Sequence, residues 1–246
     1  VHANWFASLC EIYDGDSPVR NEQGVPATAM FVTPASAVII HETWDSLGLR
    51  GTSSHDYSIT DAFVPEGWQF DLLGRSVRQG EAYFANPHIF GTLTTVPLGI
   101  ARGAIDTVTA LLRKKQAGPA NLAVRDDAAV QIDLGRAVSL VDMAARYADG
   151  TLDEVWSQFQ SGSRPTDRQL AGADLTKANE VSAAVEAMNI AFRLAGSSGV
   201  HRSSAIERCF RDVHTAASHV TLRPQARYQR GGRRLLSVSA GPPPAI

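Results

Sequence analysis

The sequence predicts an α+β protein: a small antiparallel β-sandwich or barrel followed by an antiparallel four-helix bundle. Two observations carry this. Before about residue 85, short β-rich runs alternate with turn residues; after about residue 88, the apolar period changes from 2 to 3.6. The size agrees, because 246 residues with 44% hydrophobic and 20% charged side chains suffice for one or two domains, here expected as 1–85 and 86–246.

In the first part, Trp5 to Tyr13, Pro26 to Val32, Ala37 to His41 and Tyr57 to Val64 are the expected strands. Asp14-Gly15-Asp16-Ser17-Pro18, Thr33-Pro34 and Gly51-Thr52-Ser53-Ser54 separate them as turns. Tyr57 to Phe63 alternates apolar and polar residues, as a half-buried strand does. A first helix is expected over Thr92 to Gln116, stopped by Ala117-Gly118-Pro119, and a second over Asp126 to Ala148, stopped by Asp149-Gly150. The third covers Thr166 to Leu194, with Val181, Val185, Met188, Ala191 and Ala195 on one apolar face; the fourth covers Ser203 to Val220. The tail Gly241-Pro242-Pro243-Pro244 is expected to be mobile or to strap a partner.

Composition removes several function classes. No run approaches the roughly 18 uncharged apolar residues of a membrane span, so no membrane topology is expected. Cys10 and Cys209 suit a reducing cytoplasm and cannot build a disulfide framework. Residues 1–85 carry a net charge of −7 and the remainder +5, with eight arginines between Arg202 and Arg234. Only Phe210 and Tyr228 offer rings in that basic run, which argues against nucleic acid and for a phosphate-bearing cofactor or a subunit interface. The chain lacks a phosphate-binding P-loop, a GxGxxG fingerprint, an HExxH helix and a GxSxG elbow. His214 and His219 are five apart, about 140° around a helix, so they cannot share a metal, and no metal site is expected.

Four segments carry a resemblance. Trp44-Asp45-Ser46-Leu47-Gly48-Leu49-Arg50-Gly51-Thr52-Ser53-Ser54 with Phe63-Val64-Pro65 is similar to the middle β-domain of the acyl-CoA dehydrogenase superfamily. Leu98 to Asp106, Lys177 to Gly199 and Glu207-Arg208-Cys209-Phe210-Arg211-Asp212 are similar, in the same order, to three helices of its carboxyl-terminal bundle. No glutamate follows Glu207, so the late carboxylate base of many dehydrogenases has no candidate there, and Arg211-Asp212 leads instead to His219. That pattern resembles the flavin-dependent monooxygenase branch, which includes 4-hydroxyphenylacetate hydroxylase oxygenase components and dibenzothiophene monooxygenase. An acyl-CoA dehydrogenase and a non-catalytic scaffold are the alternatives.

The resemblance implies reduced FMN, with FAD as the alternative, supplied by a separate flavin reductase. It also implies dioxygen, a small aromatic or polyketide-like substrate and a homotetramer. His219 becomes the catalytic candidate, since oxygen chemistry on a flavin needs a group that handles protons near neutral pH; a helix-end histidine favouring the dipole is the competing reading. Arg113 and Gln131 become flavin contacts, with an exposed helix-end arginine as the alternative for Arg113. Gly196, Ser197, Ser198 and Gly199 become a close-approach turn whose hydroxyls and amides receive phosphate, or else a plain capping loop. Trp5 becomes a flavin-lining residue, or a core or interface tryptophan. Family members carry a helical domain ahead of the β-domain, so the chain, opening without Met at Val1-His2-Ala3, is expected to be the later part of a longer protein.

Overall fold

A computed structural model of the chain describes residues 3–21, 24–70 and 93–238. The expected boundary near residue 85 and the tail at Gly241 to Pro244 lie outside the described residues. The fold is α+β, and the chain divides into two compact units, Val1–Asp45 with Gly51–Phe84, and Ser46–Arg50 with Ala85–Ile246.

In the first unit, β1 (Trp5–Glu11) pairs antiparallel with β4 (Thr28–Pro34), in a register running from Trp5 opposite Pro34 to Glu11 opposite Thr28. The short β7 (Gln69–Phe70) adds to the other edge of β4. Two hairpins complete the described part: β2 (Tyr13–Asp14) with β3 (Ser17–Pro18), and β5 (Val38–His41) with β6 (Asp56–Ile59). The strand expected to reach Val64 stops at Ile59, because Asp61 adopts the left-handed conformation (φ 52°) and turns the chain out of the ladder. Thr33 is the one fully buried side chain among the described residues of this unit, and its Oγ1 has no partner.

The second unit is built on helices. Helix α1 (Thr95–Leu112) has the length and composition of a membrane span, but Pro97, Leu98, Ala101, Ala104, Ile105, Val108 and Leu112 all face the core of the bundle. The hairpin of β8 (Gln116–Ala117) and β9 (Leu122–Ala123) links it to α2 (Ala128–Gln160). Asp127 caps α2 by accepting the Ala129 amide at 2.8 Å. Contrary to expectation, α2 runs straight through Asp149-Gly150 for another ten residues. One helical glycine costs only about 1 kcal/mol, and packing outweighs it: Thr151 lies so close to Gly172 that a Cβ there would sit 2.9 Å from its methyl, and Val155 is fully buried.

Helix α3 (Asp167–Ala195) opens with a capping box in which Thr166 accepts the Gln169 amide and Gln169 accepts the Thr166 amide at 2.9 Å. The expected face is present, with Val181, Met188, Ala191 and Ala195 buried and Val185 half-buried. α4 (Ala205–Ala217) begins at Ser204 and ends three residues earlier than expected, after which Val220–Leu222 form a separate 3-10 turn.

A fifth helix, α5 (Pro224–Leu235), was not foreseen. Its few apolar residues and Gly231-Gly232 hide it in sequence, but Pro224 suits the first turn and Gly231 packs flat on Leu175 and Ala171 of α3. Three of its arginines share one partner there: Asp174 takes Arg227 Nη1 at 3.3 Å, Arg234 Nε at 3.4 Å and Arg230 Nη1 at 3.7 Å. Beside this ion cluster Lys177 and Glu180 are also buried, and Thr94 donates to Glu180 Oε2 at 2.6 Å.

Burial first, and Arg227 second, lower Lys177 to a pKa of about 8, while Asp174 and Glu180 oppose them. A lysine depressed on folding favours the native state only once deprotonated, so its stability contribution is full above 10.5 and is lost as pH falls through about 8. Wild-type protein should therefore gain stability relative to Lys177→Met as pH rises from 8 towards 10.5. Urea unfolding across that window checks this, and a flat difference would refute it.

Candidate functional site

The corner after α4 presents His219. The backbone leaves the helix at Ser218, and His219 is extended (φ −64°, ψ 135°), so it caps the 3-10 turn that follows instead of closing α4 as the sequence suggested. Its Nδ1 accepts the Thr221 amide at 3.3 Å and pairs with Thr221 Oγ1 at 2.8 Å; its carbonyl accepts the Leu222 amide at 2.9 Å. With Nδ1 occupied as an acceptor, the neutral ring carries its proton on Nε2, at an exposed position. His214 is half-buried: Nε2 pairs with Asn189 Oδ1 at 3.0 Å and the ring packs on Phe210.

The Glu207 to Asp212 run does different work. Arg211 grips Glu207 with Nε at 2.7 Å and Nη2 at 3.0 Å, which holds that carboxyl below the usual carboxylate range. Arg211 Nη1 also donates to Leu47 O at 2.6 Å, and Asp212 Oδ1 accepts the Leu49 amide at 2.6 Å. Gly48 is buried against the backbone of Arg211 and Asp212, where a Cβ would lie 2.7 Å from the Asp212 nitrogen. The motif thus fastens the Ser46–Arg50 strap onto α4. Burial pushes the neighbouring Cys209 thiol up, in keeping with a structural cysteine.

The remaining bundle candidates gather at the opposite end of α4. Gly196 ends α3 with a positive φ of 56°, and Gly196–Gly199 form a 3-10 turn. Gly199 is glycine for packing: a Cβ there would sit 2.9 Å from the Ala195 methyl, so its close approach is to the protein itself. The cation at this turn is Lys115, which the sequence analysis did not single out. Lys115 Nζ donates to Ala195 O at 2.7 Å and would lie 3.3 Å from a Cβ on Gly196. Arg113 caps α1 through its backbone and is exposed, and Gln131 Nε2 donates to Arg125 O at 3.0 Å in the first turn of α2. One ammonium with two protons to spare, beside the exposed Ser197 and half-buried Ser198, is a donor set that fits the phosphate of a flavin.

The structure therefore brings Lys115, the Gly196–Gly199 turn and the α1–α2 connection to one end, and His219 to the other. The 13 residues of α4 between them span about 20 Å. Trp5, in the first unit, is half-exposed on β1 and stacks on Trp68 with ring centroids 4.7 Å apart.

Residues 92–224 match the family model for the acyl-CoA dehydrogenase C-terminal domain. The chain belongs to the acyl-CoA dehydrogenase family. Within it, a pigment production hydroxylase from a Rhodococcus species is 28% identical over 253 residues, covering 99% of this chain and 63% of the relative. An indole-3-acetate monooxygenase from Pseudomonas putida is 30% identical over 218 residues, covering 87% of this chain and 55% of the relative. The HsaA monooxygenase from Mycobacterium tuberculosis superposes with a TM-score of 0.83 at 21% identity over 98% of this chain and 62% of its own, which establishes the acyl-CoA dehydrogenase-type fold. This chain thus spans less than two thirds of the length of each.

The hydrogen bonds at His219 predict the Nε2–H tautomer for its neutral ring. Long-range nitrogen–proton NMR of the imidazoles checks this, and a neutral ring protonated at Nδ1 would contradict the capping geometry.

Proposed function

We propose that this chain is part of the oxygenase component of a two-component flavin-dependent monooxygenase that hydroxylates a small aromatic or polyketide-like substrate. It would use dioxygen and reduced flavin from a separate reductase. The observation that carries the reading is His219, whose Nδ1 is tied to Thr221 so that Nε2–H projects from an exposed corner. Relatives named hydroxylase, indole-3-acetate monooxygenase and flavin-dependent monooxygenase oxygenase subunit support it.

When bound, reduced flavin supplies the activation of dioxygen and the transfer of one oxygen atom to the substrate. The residues of the chain do the rest. Lys115, Ser197 and Ser198 would hold the phosphate, with Arg113 and Gln131 at the same end of the bundle. His219 would donate a hydrogen bond from Nε2–H to an oxygen on which negative charge develops, while keeping its proton. FMN is the flavin we assign, with its single phosphate on the Lys115 cluster. FAD is the alternative: among structures of this fold, one neighbour is titled as a complex with FADH2 and another as a complex with FMN. The phosphate end and His219 are about 20 Å apart along α4, and we assign a site that draws on more than one copy, in a homotetramer. Cys10 and Cys209 are both free thiols, in keeping with a cytoplasmic protein.

A dehydrogenase would need a carboxylate free to take a proton from its substrate. From Glu207 onward the only carboxylates of the side chains are Glu207, locked to Arg211, and Asp212, which accepts the Leu49 amide.

His219→Ala should lower hydroxylation at least tenfold, and by up to the about 10²–10³-fold that loss of one positioned hydrogen-bond donor costs, while flavin affinity by fluorescence titration stays near wild type. An unchanged rate removes His219 from the role. Anaerobic bleaching of the bound flavin by an acyl-CoA, with no reductase present, would establish the dehydrogenase instead. No flavin binding at micromolar concentration would establish a non-catalytic scaffold.

A further inference from the structure

We propose that the Ser46–Arg50 strap is a positioning device for His219, with Leu49 as its wedge and Asp212 as its anchor. The proposal rests on the reading of His219 as the hydrogen-bond donor of the site. Leu49 is a branched residue in the left-handed region, at φ 52°, a conformation that L side chains rarely adopt. Such outliers persist only where the surroundings over-determine them, and they gather at functional sites.

Here the surroundings are explicit. The Leu49 amide is held by Asp212 Oδ1 at 2.6 Å, Leu47 O is held by Arg211 at 2.6 Å, and Ser46 Oγ donates to Gly48 O at 2.7 Å. Gly48 alone permits the strap to lie directly on the α4 backbone. The strap is thus fixed at three successive residues, and this forces the Leu49 side chain inwards.

It enters the small apolar cluster of Val181, Ala216 and Leu222, with Ala217 beside it. Ala216 and Ala217 immediately precede the His219 corner, and Leu222 immediately follows it. The wedge therefore grips the chain on both sides of His219, three residues before and three after. Asp212 lies four residues before Ala216, on the same face of α4. The anchor and the wedge act on one stripe of the helix, and the corner is where that stripe ends.

The test reads the ring and the corner directly, apart from turnover. In Asp212→Ala, exchange of the Leu222 and Thr221 amides should accelerate about tenfold or more as the corner opens locally, and the Nε2–H tautomer signal of His219 should lose its single position. Amides of α1 such as Val108 should keep wild-type protection. Asp212→Asn retains a side-chain carbonyl that can accept the Leu49 amide, and should restore both readouts. Leu49→Ala keeps the anchor, removes the wedge, and should reproduce the Asp212→Ala result.

Wild-type exchange at Thr221 and Leu222 with an unchanged His219 signal, in Asp212→Ala or in Leu49→Ala, overturns the proposal. Loss of helical circular dichroism in Asp212→Ala leaves Leu49→Ala to decide; loss in both shows that the strap holds the whole bundle, which also overturns it. Failure of the functional reading is distinguishable. An active His219→Ala would reject the role of the ring, whereas these amide and tautomer readouts would still report whether the strap positions it.

Discussion

The helical unit depends on the close approach that one helix allows on every side. Helix α3 buries Ala171, Ala173, Ala178, Ala183, Ala184, Ala187, Ala191 and Ala195, and it packs against α1, α2, α4 and α5. A side chain no larger than a methyl lets neighbouring backbones come near, so that the longer residues of those neighbours, such as Val108, Val141 and Val213, complete the core. The same constraint recurs where contact is tightest. Gly172 admits Thr151, Gly231 admits Leu175, and Gly48 admits the α4 backbone itself.

A helix surrounded in this way has little room for charge, yet Asp174, Lys177 and Glu180 are buried on it. They are tolerated because each faces a partner charge or donor: the α5 arginines around Asp174, Thr94 against Glu180, and the two carboxylates flanking Lys177. Removing one partner would strand the others, so the cluster specifies where α5 docks more than it adds stability. The docking of α5 begins just after the turn capped by His219, at Pro224, which places the corner between two anchored helices.

Much of the fold was legible because it obeys local rules. The change of period from 2 to 3.6, the helix start at Thr166, the turn at Gly196 to Gly199 and the apolar face from Val181 to Ala195 are each set by neighbours within a few residues in sequence. Helix α2 was cut short because Asp149-Gly150 reads as a terminator, and the Thr151–Gly172 contact that carries the helix past it is not local. α5 was missed for the mirror-image reason. Its apolar content is low, and the charges that hold it find their partner 53 residues away at Asp174.

The candidate site divides along the same line. The sequence by itself determined the class of the protein, the segments that matter and the residue types present: a late histidine without a late glutamate, a small-residue turn and a basic helix end. Only the tertiary structure decided what each one touches. It made Lys115, not Arg113, the cation on the Gly196 turn, turned Gly199 towards its own helix, and separated His219 from that turn by the length of α4. It also tied Nδ1 of His219 to Thr221 and pressed Leu49 in beside the corner. The physical reason is range: capping, periodicity and chain reversal are governed by adjacent residues, whereas the direction of a side chain and the partner of a charge are set by segments that meet only after folding.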